Sequence, residues 1–202
     1  MKLYFSPASP FARKVRIVAA ALGLESRVEL VAVDTSKPSD ALSAKNPLGK
    51  IPVLETDGGA CIYDSAVISA YLDDLAGGGR VIPRDFAQKY EALTLESLAD
   101  GIAEASLLQI YETRMRAEGE RSASWVAHQR DKVLRGLAHF ESSPLAQDFN
   151  QGVPRIDQIM LACALGYLDL RFEGAWRADH PKLVAWLDAF AAAAPSFAAT
   201  AA

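Results

Sequence analysis

The feature that most constrains the fold of this 202-residue chain is a change of sequence pattern near residue 86. Before that point, short β-type runs and helical runs alternate about every ten residues, which is typical of a mixed α/β domain. After it, β-branched runs disappear and apolar residues recur every third or fourth position, which predicts helices only. The stretch 77–85, with three glycines and Pro83, predicts a linker. We therefore expect domains at residues 1–76 and 86–202, with the second containing helices at 86–117, 122–141, 155–172 and 181–193.

The first domain is predicted to contain a βαβ unit, then a loop or short helix, then a β-hairpin and a helix. Its first two β-type runs flank a helical run that stops at Gly23, and strands joined through a helix in this way are parallel. The next two β-type runs flank Asp57-Gly58-Gly59, a turn signal that indicates an antiparallel hairpin. In chain order the predicted runs are 2–5, 11–22, 28–33, 51–55, 60–63 and 67–75.

Composition and charge exclude several functions. The chain has 21 basic and 25 acidic side chains, for a net charge of −4, and no basic run alternates with aromatic residues, so nucleic acid is a poor candidate partner. Apolar stretches fall short of the roughly 20 residues of a membrane span and no leader-like segment is present, so we expect a cytoplasmic protein and no membrane partner. Cys61 and Cys163 lie far apart and the histidines form no ligand spacing, so we expect neither disulfide nor metal.

Ser9 directly precedes Pro10, and this dipeptide predicts the start of the first helix. Serine is favoured as the N-cap, the residue whose side chain accepts a hydrogen bond from an N–H of the first turn, and proline is favoured at the first helical position. The hydroxyl would face the positive end of the helix dipole. From the dipeptide alone a plain cap is the preferred interpretation, and a functional hydroxyl is the alternative.

The run 46–54, Asn-Pro-Leu-Gly-Lys-Ile-Pro-Val-Leu, contains a proline at the start of a strand, which is allowed at a sheet edge or a strand end. If the Ile51–Pro52 bond is cis, the N–H and C=O of Ile51 face outward and can bind another peptide. Only about 5–6% of X-Pro bonds are cis, so the dipeptide alone favours trans.

Asp64-Ser65 follows a β-type run and opens a helical run, so it offers free N–H groups, a hydroxyl and a carboxylate at a helix N-terminus. The head group of an α-amino acid needs donors for its carboxylate and an acceptor for its ammonium. The pair therefore suits such a head group, although a dipeptide of this kind is usually only a cap.

Taken together, these motifs resemble the N-terminal domain of the cytosolic glutathione S-transferases in order and spacing. The resemblance lies in Ser6–Arg16, Asn46–Leu54 and Tyr63–Ser65, and the helical half is similar at Leu98–Gly101 and at Ile156-Asp157. It covers essentially the whole chain. It implies an α/β thioredoxin-like domain of βαβ-ββα order followed by an all-α domain, the glutathione S-transferase (GST) fold.

The resemblance also implies roles for the three motifs, with glutathione as the co-substrate. Ser9 would be the hydroxyl that activates the glutathione thiol. Ile51, ahead of a cis-Pro52, would pair through its backbone with the cysteinyl unit. Asp64 and Ser65 would bind the γ-glutamyl head.

Three further side chains are implied less directly. Lys50 would assist near the peptide backbone of glutathione, and Lys37 is available for the glycine carboxylate. Asp100 resembles the acidic residue that reaches across a homodimer to the γ-glutamyl ammonium. Because the apolar stripe of its helix can be satisfied within its own domain, we expect Asp100 on a face that the monomer has no reason to bury.

The expected chemistry is stabilisation of a thiolate. A free thiol with a pKa near 8.5 is only a few per cent ionised at pH 7, and lowering that pKa by two units requires about 2.7 kcal/mol. A charge-assisted hydrogen bond of about 1.5–3 kcal/mol and a helix-dipole contribution of about 0.3–1 kcal/mol supply that order of energy. Ser9 can therefore act by donating a hydrogen bond without losing its own proton.

Members of the family with cysteine at the activating position act as reductases, and others use tyrosine. Ser9 is neither. We expect Tyr4 in the core or at its rim, and we expect Cys61 and Cys163 to be buried packing thiols, which disfavours thiol transfer through a protein cysteine.

One departure from the family pattern concerns the buried helix of the second domain. Pro154 stands where a capping serine or threonine normally precedes the helix Asp by three residues. We expect Asp157 to bond backbone N–H groups at its own helix start instead.

A small hydrophobic electrophile would lie against the first long helix of the second domain. Apolar positions at helical spacing are more often core, so they name no substrate. The expected face consists of Leu107, Leu108, Tyr111 and Met115, with Arg114 or Trp176 near the rim.

Other functions remain open at this stage. The same scaffold can serve a glutathione-dependent isomerase, lyase or dehalogenase, or a GST-like binding module with little catalysis. A module without catalysis would be expected to lose Ser9 or the Asp64-Ser65 pair, and the chain keeps both.

Overall fold

The structure is a computed structural model that describes residues 1–37, 39–143 and 146–202. Within these residues a four-stranded mixed sheet with flanking helices is followed by helices alone, which confirms the predicted fold class. The strands are β1 Lys2–Phe5, β2 Glu29–Ala32, β3 Val53–Glu55 and β4 Cys61–Ile62. The helices are α1 Pro10–Ala21, α2 Asp40–Ser43, α3 Ser65–Leu75, α4 Phe86–Met115, α5 Ala123–Ser142, α6 Ile156–Phe172, α7 Pro181–Ala193 and α8 Pro195–Ala199.

The sheet has the strand order β2-β1-β3-β4. β1 and β2 are parallel, as predicted for a βαβ unit, and the predicted β3–β4 hairpin is antiparallel. Its turn is closed by hydrogen bonds between Thr56 and both Gly59 and Ala60, and Gly59 has a φ of +84°, which favours glycine. The sequence therefore predicts both of these strand directions correctly, while the antiparallel pairing of β1 with β3 is added by the structure.

One face of the sheet packs on α1 and α3. Successive residues of β1 point to opposite faces of the sheet, so alternate residues are buried against these helices. Leu3 and Phe5 are buried, whereas Lys2 is exposed. α1 also packs against α6, so its buried side chains join the sheet core to the helical core. This places the N-terminus of α1 at the junction of the two parts of the chain.

The connection between α3 and α4 is held by one carboxylate. Asp73 accepts hydrogen bonds from the N–H groups of Gly79, Arg80 and Val81, at 2.8, 3.0 and 2.9 Å. The C=O of Val81 in turn accepts the N–H of Ile156, at 2.9 Å, so the connection is also tied to the start of α6. We continue to place the boundary between the domains in this segment.

The start of α6 differs from the sequence expectation. Asp157 is bound by a side chain and not by backbone N–H groups: Arg155 donates two hydrogen bonds to its carboxylate, at 3.0 and 2.8 Å. The Arg155 N–H donates to Gln158 Oε1 at 2.8 Å, which is the half of a capping box that the third helical residue supplies, while no side chain takes the part of the capping serine or threonine. The expectation for Asp157 was therefore wrong, because a neighbouring guanidinium offers a stronger, charged partner.

The alanine-rich end of the chain forms α8, which the sequence analysis did not predict. Arg13 of α1 donates to the C=O of Phe197 at 2.6 Å, and its guanidinium lies 4.0 Å from the centre of the Phe197 ring. Thr200 accepts from Arg13 Nε at 3.3 Å. The tail is thus fixed by contacts with the first domain, which local sequence does not reveal. In the described parts of the chain, no helix is long and apolar enough to cross a membrane.

Candidate active site

Strand register brings the three sequence motifs to one edge of the sheet. Antiparallel pairing of Tyr4 with Val53 sets the start of β3 beside the end of β1. Pairing of Leu54 with Ile62 brings the end of β4 to the same edge. The segments that follow β1, precede β3 and follow β4 therefore meet; they carry Ser9, Ile51-Pro52 and Asp64-Ser65, respectively.

Ser9 is the N-cap of α1, as the sequence predicts, and Pro10 is the first helical residue. Its Oγ accepts a hydrogen bond from the N–H of Ala12 at 3.2 Å, and the side chain is half-buried. A hydroxyl that accepts a bond through a lone pair still carries its own proton. Ser9 can therefore donate to an anion at the positive end of the helix dipole.

The Ile51–Pro52 peptide bond is cis, the geometry that the family resemblance implies and that the dipeptide alone disfavours. Pro52 is buried and Ile51 is half-buried. In the described part of the chain, the N–H and C=O of Ile51 have no hydrogen-bond partner. The backbone of this residue is consequently free to pair with an extended peptide.

The loop before Ile51 is organised by Asn46, which sequence reasoning did not single out. Asn46 is buried; its side-chain amide donates to the C=O of Lys50 at 2.9 Å, and its Oδ1 accepts from the N–H of Leu48 at 3.0 Å. Gly49 follows with a φ of +61°. The Asn-Pro pair was the available signal, because asparagine commonly organises turns in this way. The Lys50 side chain is exposed, on the loop next to Ile51.

Asp64 and Ser65 form the start of α3. Asp64 is exposed and caps the helix by accepting from the N–H of Ala66 at 3.0 Å, while Ser65 is buried as the first helical residue. One carboxylate oxygen thus serves the helix, and the other faces solvent with acceptor capacity left. The pair combines a negative charge with helix N–H groups, as the sequence predicts.

A buried ion cluster lies behind this edge, between α1 and α4. Lys14 is fully buried and donates to Glu96 Oε1 at 2.9 Å and to Asp100 Oδ1 at 3.1 Å. Burial disfavours the charged ammonium, but the charges of Asp100 and Glu96 outweigh it and raise the pKa of Lys14. Lys14 is therefore charged and fixes the position of both carboxylates.

The position of Asp100 differs from the one expected from the sequence. The residue does not lie on a face that the monomer leaves unused, because Lys14 holds it and its side chain is only 27% exposed. Burial raises the pKa of Asp100, Lys14 partly offsets this rise, and the charges of Asp64 and Glu104 add to it. Asp100 thus stands near Asp64 of its own chain, and this corner carries more negative than positive charge.

Tyr4 and the cysteines are poor candidates for thiol chemistry. The Tyr4 hydroxyl donates to Glu55 Oε2 at 2.7 Å, an oxygen that Lys45 also binds at 2.8 Å, so Tyr4 is engaged at the rim of the sheet. Burial raises the pKa of the Cys163 thiol to about 12, which keeps it protonated. Cys61 is half-buried in β4, and not buried as expected; both cysteines are free thiols.

The face predicted for an electrophile is only partly as expected. Leu107, Leu108 and Tyr111 are half-buried on α4, and Arg114 is exposed one turn beyond Tyr111. Trp176 is not at an open rim: it is buried, and its indole N–H donates to Asp169 at 2.8 Å. Among the described residues, no group of three or more His, Cys, Asp or Glu side chains could hold a metal ion.

Known proteins share this sequence pattern and fold. Residues 3–80 match the glutathione S-transferase N-terminal domain, and residues 123–189 match the glutathione S-transferase C-terminal domain. The uncharacterized GST-like protein YibF of Escherichia coli K12 is 32% identical over 185 residues, which cover 91% of this chain and 90% of YibF. This chain belongs to the glutathione S-transferase family.

Solved structures agree with this assignment. A glutathione transferase family member from Pseudomonas fluorescens Pf-5, crystallised with bound glutathione, is 43% identical with a TM-score of 0.91, over 99% of this chain and 98% of that one. A glutathione S-transferase from Methylobacillus flagellatus KT, crystallised with glutathione, is 36% identical with a TM-score of 0.87, over 99% and 98%.

Proposed function

We propose that this protein is a glutathione transferase in which the Ser9 hydroxyl stabilises the glutathione thiolate for attack on a small electrophile. The observation that carries the proposal is the state of Ser9: its Oγ accepts the cap bond from Ala12 and its proton remains available. Family membership and the glutathione bound in the Pseudomonas and Methylobacillus relatives support glutathione as the co-substrate.

Glutathione would lie along the edge where the three motifs meet. Its cysteinyl unit would pair with the free N–H and C=O of Ile51, which sets the sulfur near the start of α1. The γ-glutamyl carboxylate would accept from Ser65 and the α3 N-terminus, and the ammonium would meet Asp64. Lys50 and Lys37 are the cations available to the remaining backbone and to the glycine carboxylate.

The excess negative charge around Asp64 supports this direction of binding. Asp100 contributes to it and is held in place by Lys14, so no rearrangement is needed to present a carboxylate to the ammonium. An ammonium about 4 Å from one carboxylate gains on the order of 1–4 kcal/mol before desolvation. Binding glutathione in the opposite direction would place its carboxylates against this corner.

We also infer a homodimer whose two-fold axis passes beside this corner, so that Asp100 lies near Asp64 of its own chain and also approaches the glutathione site of the partner. Large apolar side chains are exposed on elements that border the site: Leu48 (73%), Val67 (53%), Phe86 (77%) and Tyr90 (54%). Single exposed apolar residues are ordinary, but Phe86 and Tyr90 pack edge-to-face at 4.9 Å and form a larger apolar surface. A two-fold axis would use such a surface on both chains.

Turnover of a neutral aryl chloride tests the enzyme assignment. With glutathione and a chlorodinitrobenzene, we expect wild type to release chloride and form the aryl thioether, and Ser9→Ala to be slower in kcat. Ser122→Ala is the matched control, because Ser122 caps α5 with the same 3.2 Å geometry at a helix start that carries none of the three glutathione motifs. Equal rates in all three proteins would refute the role of Ser9.

Sedimentation tests the dimer. We expect about twice the mass of one chain at micromolar protein, and Asp100→Asn to weaken glutathione binding without dissociating the dimer. A monomer at that concentration would overturn the dimer, and an affinity that ignores Asp100→Asn would overturn any role of Asp100 in binding glutathione.

A further inference from the structure

Two arginines and two tyrosines lie together beyond the candidate site, near the ends of α4 and α6. Tyr111 and Arg114 are three residues apart on α4, and Tyr167 and Arg171 are four apart on α6, so each pair shares a helix face. The two helices pack against each other, and the guanidinium carbon of Arg171 lies 5.8 Å from the centre of the Tyr167 ring. The four side chains therefore form one group, which we call the arginine-tyrosine group.

The directions of α1 and α4 place this group further toward the C-terminal end of α4 than Ser9. The end of α1 lies at the linker, where Arg80 donates to the C=O of Leu22, and its middle lies at Asp100, which binds Lys14. The two helices therefore run in opposite directions. Ser9, which precedes Lys14 on α1, lies on the side of Asp100 that faces the C-terminal end of α4.

The rise per residue of an α-helix gives the distance between Ser9 and this group along the helix axes. At 1.5 Å per residue, Ser9 is about 7 Å beyond Lys14, whereas Tyr111 is about 16 Å beyond Asp100. Along α4 the arginine-tyrosine group therefore lies about 9 Å beyond the level of Ser9.

Electrostatic effects agree with this placement. Burial raises the pKa of Tyr167, and the charges of Arg171 and Arg114 oppose that rise. The pKa of Asp34, in the loop after β2, is lowered chiefly by its hydrogen bonds with Ser36, and Lys37 and Arg114 add to the effect. The charge of Arg114 therefore acts both on Tyr167 of α6 and on Asp34 of the first domain.

The two guanidinium groups have unused binding capacity. Both arginines are exposed, and neither forms an ion pair with another described residue. Arg155 and Arg177, by contrast, are each bound to an aspartate at 2.8 and 2.6 Å. Arg171 contacts Tyr167 but has further donors, and a planar guanidinium without an ion pair is suited to two-pronged binding of a carboxylate.

We propose that the electrophile carries a carboxylate, which Arg114 and Arg171 bind while its body contacts Leu107, Leu108 and Tyr111. This inference rests on the proposed transferase function and narrows its substrate class from a hydrophobic electrophile to an anionic one. In the reaction the thiolate sulfur forms a bond to the electrophilic carbon, and the leaving group departs with its bonding pair. The carboxylate is unchanged, and no oxidant or reductant is needed.

Calorimetric titration with two product-like ligands tests the proposal. S-benzylglutathione and S-(carboxybenzyl)glutathione differ only in the carboxylate. We expect wild type to bind the acid about ten- to a hundredfold more tightly, the range for a charged hydrogen-bonded pair. In Arg114→Gln/Arg171→Gln the two affinities should become equal within about threefold, while S-benzylglutathione binds as in wild type.

Arg130→Gln is the matched control, because Arg130 is also exposed and without an ion pair among described residues, but lies on α5. It should keep the preference for the acid, and that preference should weaken with added salt. Equal affinities for both ligands in wild type, or an unchanged preference in the double variant, would overturn the anionic-substrate proposal alone. If neither ligand binds wild type, this proposal and the proposed function are both wrong.

Discussion

The start of α6 and the start of α1 face the same physical problem, since every helix begins with N–H groups that need acceptors. At α6 the polar groups satisfy one another: Arg155 binds Asp157, and Gln158 accepts from Arg155 and donates to the carbonyls of Ala146 and Asp148. At α1, Ser9 is half-buried, accepts a single N–H and keeps its own proton.

This difference separates a stabilising helix start from one that can bind a ligand. A closed network buried in the protein contributes to the free energy of unfolding, because removing one member leaves another charge unpaired. An open start contributes only its cap bond, but its remaining donors are ready for an anion. Changes at the two starts should accordingly affect different measurements.

The largest effect is expected from Asp157→Ala. Asp157 is buried, and its loss leaves Arg155 without its two closest hydrogen bonds. We expect a loss of about 3 kcal/mol in the free energy of unfolding, or a midpoint lower by about 6–12 °C. Thermal unfolding followed by circular dichroism measures this, and the folded variant should bind glutathione like wild type.

Glu91→Gln is the control for that prediction. Glu91 is an exposed second partner of Arg155, at 3.3 Å, and a surface ion pair contributes less than about 1 kcal/mol. Equal destabilisation by the two changes would mean that the network at α6 is not the closed, buried structure described above.

A smaller effect is expected from Asp64→Asn, and it should appear in binding and not in stability. Asparagine keeps the side-chain oxygen that caps α3 but removes the charge offered to the γ-glutamyl ammonium. We expect calorimetry to show glutathione affinity reduced by about tenfold, equivalent to about 1.4 kcal/mol, with little change in the unfolding midpoint.

Asp85→Asn provides the matched change at a helix start away from the site, since Asp85 caps α4 by accepting from the N–H of Gln88 at 3.0 Å. It should leave glutathione affinity unaltered. If Asp64→Asn also left the affinity unaltered, Asp64 would be a cap and nothing more.

How far the sequence predicts each region depends on where the determining contacts lie. Periodicity and turn signals predict the βαβ unit, the hairpin and the long helices, because those patterns are local. Ser9 is recognisable as a cap for the same reason. The cis geometry at Ile51–Pro52 is not, since the dipeptide favours trans, and only the resemblance to a family pointed to it.

The unpredicted features all depend on residues distant in sequence or on an uncommon choice of partner. Lys14 stands in a helix without any sign that it is buried, because its partners lie 82 and 86 residues further along the chain. Arg13 fixes the C-terminal tail through a partner 184 residues further along the chain. Arg155 stands at the N-cap of α6 without a side-chain cap bond and binds Asp157 instead, and arginine is not a sequence signal for a helix start.

The most direct test of the account is the pH at which bound glutathione ionises, read from the ultraviolet absorbance of the thiolate in Ser9→Ala and in Ser122→Ala. Both changes remove one cap bond and should destabilise the protein by about 1 kcal/mol each. Only Ser9→Ala should raise the pKa of the bound thiol, by about one unit toward the free value near 8.5. The pKa should not rise further, because the helix dipole still stabilises the thiolate. At saturating glutathione, the pH at which kcat/KM for the electrophile rises should shift upward by the same amount. A thiolate titration that is the same in wild type, Ser9→Ala and Ser122→Ala would contradict the claim that the open start of α1 activates the thiol through Ser9.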